Sequence, residues 1–196
     1  YRIQQLQKKG IIEKFITSIN PNKMGYYMFK VYLKLENIPN EREKFYEELK
    51  QNKDIYWMGI SDGVFDCVFA ILSKSIIEYY EKINSLLSKW EHIIISKVLG
   101  TMVDTKQYNK KFFTNDKNGQ YVTFGGDVID NKLDEIDLKI LSILANNARI
   151  PLLELARDIK SSVDIIRTKI KRLEEKGIIL SYRISVDFNK LGLEFF

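Results

Sequence analysis

Phe29, Val31, Leu33 and Leu35 alternate with Lys30, Tyr32 and Lys34, and this period of two predicts a strand with one buried face. Pro39 and Asn40 then open a helix, with Asn40 and Glu43 spaced as a capping box and Phe45 and Leu49 as its buried stripe. Residues 54–60 and 64–72 read as a strand pair around Ser61-Asp62-Gly63, since Asp-Gly is a strong hairpin signal. A second helix starts at Ser75 and Glu78 and repeats Ile76, Tyr79, Tyr80, Ile83, Leu86, Leu87 and Trp90 at helical spacing. A last strand over 93–103 completes the order strand-helix-strand-strand-helix-strand, the order of a ferredoxin-like domain.

From Asp134 the period changes, and three helices are expected over 134–147, 151–159 and 162–176. Val163, Ile166, Ile170 and Leu173 fall at i, i+3, i+7 and i+10, which makes them the buried stripe of the third. Gly177 stops that helix, and residues 178–186 are extended, so the segment reads as a winged helix-turn-helix. The polar stretch between the two patterns, with Asn-Gly and Gly-Gly in it, reads as a linker.

The chain also repeats itself. Residues 1–29 realign with 168–196 at an offset of 167, with identities at Ile3/Ile170, Leu6/Leu173, Gly10/Gly177, Ile12/Ile179, Ser18/Ser185 and Gly25/Gly192, among others. The expected organisation is therefore the end of a first winged helix-turn-helix (1–20), a ferredoxin-like domain (21–104), a linker (105–132), a second winged helix-turn-helix (133–187) and the start of a second ferredoxin-like domain (188–196). That pattern reads as a fragment of a longer tandem protein. Its last strand is expected to lack partners.

Composition narrows the chemistry. Hydrophobic residues make up 45% and charged residues 29%, which excludes disordered and low-complexity classes. The single Cys67 and single His92 leave no ligand set for a zinc, redox or His-pair site, so no catalytic residue, metal or cofactor is expected. No apolar run reaches membrane-spanning length, so no membrane contact is expected; with no signal-peptide pattern and a lone cysteine, the expected location is cytoplasmic. Gly125-Gly126 lacks the strand-to-helix context of a phosphate loop.

A net charge of +5 fits nucleic acid only if the charge is placed for it. On the third helix Ser162, Arg167, Thr168, Lys169, Lys171 and Arg172 supply donors for phosphates and base edges, with Ser162 also at the N-cap. Asp164, Glu174 and Glu175 oppose that charge, as on an ordinary solvated amphipathic helix.

LDEIDLKILSILANNARIPLLELARDI followed by SSVDIIRTKIKRLEEKGIILSYRISVDFNKLG closely resembles the DNA-binding domain of the Lrp/AsnC (leucine-responsive/asparagine regulator) family of transcription factors. The resemblance spans 133–192. Residues 25–103 resemble the family's ligand-binding and oligomerisation module, with Gly63-Val-Phe-Asp66 matching its G-x-x-D. The fold so implied is α+β, a ferredoxin-like domain linked to a winged helix-turn-helix. The resemblance implies binding to double-stranded DNA, assembly through the ferredoxin-like sheets as a homodimer, a higher oligomer or an internal pseudo-dimer, and an amino-acid effector near Asp62, Gly63, Asp66 and Thr101. One departure stands out: the family places Gly and an apolar residue before the recognition helix, where this chain has Lys160-Ser161. A lysine held there at positive φ is strained by roughly a kcal/mol.

A sequence-specific regulator is thus the leading expectation. The alternatives are an amino-acid sensor or assembly module without DNA binding, and an enzyme like the tetrapyrrole decarboxylases of this architecture. The latter depend on pocket histidines, and this chain has only His92.

Overall fold

The computed structural model describes residues 1–108 and 121–192. Its elements are α1 (Arg2–Lys8), β1 (Ile12–Ile19), β2 (Tyr27–Leu35), α2 (Pro39–Gln51), β3 (Ile55–Ile60), β4 (Cys67–Ser73), α3 (Ile76–Leu87), β5 (Ile94–Met102), β6 (Asp104–Tyr108), β7 (Tyr121–Gly125), α4 (Glu135–Asn146), α5 (Leu152–Ile159), α6 (Val163–Glu175) and β8 (Ile179–Val186). They divide into two compact units. The first comprises residues 1–20, 107–124 and 131–196, the second 21–106 and 125–130.

The second unit is an antiparallel four-stranded sheet in the order β3-β4-β2-β5, as a ferredoxin-like connection requires. Alternation along β2 decides which face the helices cover. Phe29, Val31, Leu33 and Leu35 are buried with Phe45 and Leu49 of α2 and Tyr79, Ile83 and Leu87 of α3. Phe29 stacks on Tyr79 with ring centroids 4.1 Å apart. Ser75 accepts from the Glu78 amide at 3.1 Å and the Glu78 carboxylate accepts from the Lys74 amide, so both expected caps of α3 form. Asn40 makes no cap: α2 begins at Pro39, whose fixed φ suits a first helical turn. Across the uncovered face, Trp57, Ala70, Lys30 and Gly100 lie in one row, and the Lys30 ammonium sits 5.6 Å from the Trp57 ring. In that row Ala70 is buried while Trp57 is half exposed.

The first unit holds the three helices α4 to α6 around Ile140, Leu141, Leu144, Leu155, Ile159, Ile166 and Leu173. Its sheet is a ribbon of β1 with β8. Among the described residues the repeat pairs its wing strands. The register is two-fold symmetric about the repeat. Phe15 faces Ile184 while their counterparts, Tyr182 and Thr17, face each other, and Ile16 faces its own counterpart Arg183. A strand that pairs with its own repeat meets identical hydrogen-bonding edges, the condition for an isologous contact.

The stretch read as a linker, 105–132, departs from that reading, because β6 and β7 pair within it as a two-stranded ribbon. Its length and polarity masked the strands. The residues Leu193 to Phe196, expected to lack partners, lie outside the described residues. Among the described residues no helix is long and apolar enough to cross a membrane.

Candidate nucleic-acid interface

Two carboxylates set the position of α6. Asp134 caps α4 by accepting from the Asp137 amide at 2.9 Å, and Asp137 returns a bond from the Asp134 amide at 3.1 Å. Asp137 is fully buried. Its remaining lone pairs accept from Lys169, at 3.1 Å, and from Arg172. Lys169 also pairs with Asp134, whose carboxyl that ammonium and the helix amide hold down at about 2. Lys169 and Arg172, expected as DNA contacts, therefore face inward to the α4 cap.

The outer face of α6 keeps the other four. Ser162 accepts from the Ile165 amide at 3.2 Å as N-cap, which leaves its O–H free to donate to a phosphate. Arg167 is well exposed and pairs with Asp164 at 2.8 Å, a surface pair of small net worth. Lys171 lies beside Glu175 at 3.7 Å, and Thr168 is exposed between the two cations. Tyr182 of β8 donates to Glu174 at 2.5 Å, tying the wing to the helix; burial and that carboxylate push its phenol well above the usual range.

Lys160 stands at φ 60, ψ 50, in the left-handed region, where the departure from glycine had placed strain. The turn keeps its shape because the Lys160 and Ser161 amides donate to Arg157 and Ala156 at 3.1 and 2.9 Å. α6 thus starts from an intact helix-turn-helix turn. Asp137 as the anchor of α6 was missed: its partners are 32 and 35 residues away, and the only local signal was the Asp pair at capping-box spacing.

The four residues expected around an effector are not brought together within the second unit. Asp62 and Gly63 are exposed at the β3–β4 turn. Asp66 is turned inward: burial pushes its carboxyl up, but the Leu35 amide at 2.8 Å, Lys34 at 3.1 Å and Arg42 outweigh it and hold the group below the ordinary aspartate value. Thr101 pairs with Phe29, at the far end of β2 from Lys34, which reaches Gly63 at 2.9 Å. Five strand residues separate those ends, about 17 Å. His92 is exposed, stacked on Trp90 and 3.5 Å from Glu41, on the helical side of this unit. Cys67 is buried, and burial pushes its thiol up to about 12.

Residues 133–179 match the winged helix-turn-helix DNA-binding family. The HTH-type transcriptional regulator Ptr1 of Methanocaldococcus jannaschii is 47% identical over 62 residues, 32% of this chain and 42% of that protein. LrpC of Bacillus subtilis, also an HTH-type transcriptional regulator, is 44% identical over 62 residues, 32% of this chain and 43% of its own length. The chain therefore spans less than half of these relatives. Among solved structures the siroheme decarboxylase NirDL shares the fold, with a TM-score of 0.62 at 16% identity over 93% of this chain and 53% of that one. With its LDxxD opening folded as the cap that holds α6, the helix-turn-helix unit is thus similar to the DNA-binding parts of these Lrp-type and related HTH-type regulators.

Proposed function

We infer that the protein is a sequence-specific DNA-binding transcriptional regulator that lays α6 in the major groove of double-stranded DNA. The observation that carries this is the division of charge on α6. Lys169 and Arg172 are used inside the unit, while Ser162, Arg167, Thr168 and Lys171 are turned outward, Arg167 and Lys171 in surface pairs with Asp164 and Glu175. Such a face offers donors to phosphates at its ends and to base edges between them. The relatives' descriptions as HTH-type transcriptional regulators support the same reading.

Two finer statements rest on the family resemblance. The open sheet face around Trp57 is a surface for assembly into a homodimer or higher oligomer. An amino-acid effector would meet Asp62 and Gly63 of one copy and Thr101 of another, since about 17 Å separates them within a unit, with Asp66 as a strut beneath. A tetrapyrrole decarboxylase reading has in its favour only a shared fold, and the one histidine sits beside Glu41 on the helical side. Fluorescence anisotropy against the protein's own upstream DNA and a scrambled duplex, at low and moderate salt, tests the regulator reading. Preference for the upstream DNA with salt-sensitive affinity supports it; equal or absent binding overturns it.

A further inference from the structure

The turn between α5 and α6 holds a strained cation. Lys160 stands at φ 60, and its amide and that of Ser161 are taken up by the Arg157 and Ala156 carbonyls, so the backbone of the turn is satisfied. Its side chain is not. Along residues 151–176 the other cations meet carboxylates: Arg157 lies 3.8 Å from Asp158, Arg167 2.8 Å from Asp164 and Lys171 3.7 Å from Glu175, while Lys169 and Arg172 share Asp137. Only Lys160 and Lys176 in that stretch, both exposed, reach no carboxylate among the described residues.

Lys176 is accounted for by its place. It caps the C-terminal end of α6, where the carbonyl end of the helix dipole favours a cation. Lys160 sits between two helix ends of opposite sign. It is the C-cap of α5, which favours its charge, and it lies two residues ahead of Ser162, the N-cap of α6, which disfavours it. The two effects oppose each other, so the unit gains little from the charge. Glycine forms the same left-handed turn without strain. The turn therefore carries a side chain that strains the fold and whose ammonium the fold does not use, and strain without a structural return points to a function.

Resting on the regulator reading above, we propose that Lys160 is a positioning contact to the DNA backbone, its ammonium on a phosphate beside the one that the Ser162 hydroxyl meets. Two residues span at most about 7 Å, so the two donors share one stretch of backbone. Lysine suits that task, because its flexible four-carbon stem brings a compact charge to a phosphate from a range of directions. The pair holds the backbone ahead of α6, and Arg167 and Lys171 meet the duplex further along the helix. Contacts of this kind fix register and orientation without reading sequence.

Anisotropy titrations of the chain and of its Lys160→Gly and Lys160→Arg variants, against the protein's own upstream duplex and a scrambled one over a range of salt, test the contact. One lost phosphate contact lowers the slope of log K against log salt by about 0.9, which is about eight-fold in affinity at 0.1 M salt relative to 1 M. Lys160→Gly is expected to show that loss on both duplexes while unfolding in urea no earlier than the parent. Lys160→Arg is expected to keep the parent slope. A parent-like slope and affinity in Lys160→Gly overturn the proposal, as does an equal loss in Lys160→Arg, which makes the effect one of turn shape and not of charge. A parent chain that binds neither duplex overturns the regulator reading and this proposal together.

Discussion

Lys169, on the third helix of the helix-turn-helix, donates at 3.1 Å to Asp137, fully buried on the first. With Arg172 on the same carboxylate, the contact fixes the rotation of α6 about its axis and hence which side chains it turns outward. Removing Asp137 leaves Arg172 without its carboxylate and Lys169 with Asp134 alone. Asp137→Ala is expected to destabilise the first unit by about 2–3 kcal/mol, less than for a wholly buried pair because Arg172 is partly exposed. Urea unfolding followed by circular dichroism measures it; a change below about 0.5 kcal/mol contradicts the anchor.

The strain at Lys160 gives a gain of the opposite sign. Glycine relieves a left-handed penalty of about 1–2 kcal/mol and loses about 0.5–1 kcal/mol to the freer unfolded chain. Lys160→Gly is therefore expected to stabilise the unit by about 0.5 kcal/mol, and Lys160→Val to destabilise it. The same urea experiment reads both.

The depressed Asp134 carboxyl links folding to pH. Its folded value is about 2 against an ordinary 3.8, so its contribution is complete above pH 3.8 and lost as pH falls toward 2. Asp134→Asn keeps a capping side chain but removes the titration, so the variant's stability is expected to fall less steeply between pH 4 and 2. Thermal melts across that range check the sign. Identical pH dependence in the two proteins contradicts it.

Asp66 makes a parallel prediction for the other unit. Asp66→Ala removes the acceptor of the Leu35 amide and leaves Lys34 and Arg42 without their carboxylate. A loss of about 2–3 kcal/mol is expected, with Asp66→Asn costing less because its carbonyl still accepts from Leu35. Tryptophan fluorescence during urea unfolding follows it, since Trp57 and Trp90 both lie in this unit.

Much of this was legible in the sequence because the signals were local. The alternation of Phe29 to Leu35, the Ser75 and Ser162 caps and the stripe of α6 each occupy a few consecutive turns or residues. The left-handed Lys160 was legible as a departure from a pattern. Contacts between distant residues were not. Lys169 and Arg172 read as surface cations because nothing near them in sequence shows Asp137 beneath. The β1–β8 pairing joins strands some 167 residues apart in the repeat; the repeat was visible, but its consequence, a self-pairing edge, depends on three-dimensional symmetry. Asp66, expected beside an effector, has its carboxylate turned inward to the Leu35 amide, and a carboxylate at a turn gives no sign of which way it points.

The central claim is that the outer face of α6, not its full set of cations, meets DNA. The salt dependence of duplex affinity separates the two for the Arg167→Ala/Lys171→Ala variant and for Lys169→Ala. The account predicts that the first weakens binding and lowers the slope of log K against log salt by about 2, one unit per lost phosphate contact, with folding intact. Lys169→Ala is expected to lower stability and leave the slope of the folded protein unchanged. An unchanged slope in the double variant, or a slope lost in Lys169→Ala at full folding, contradicts it.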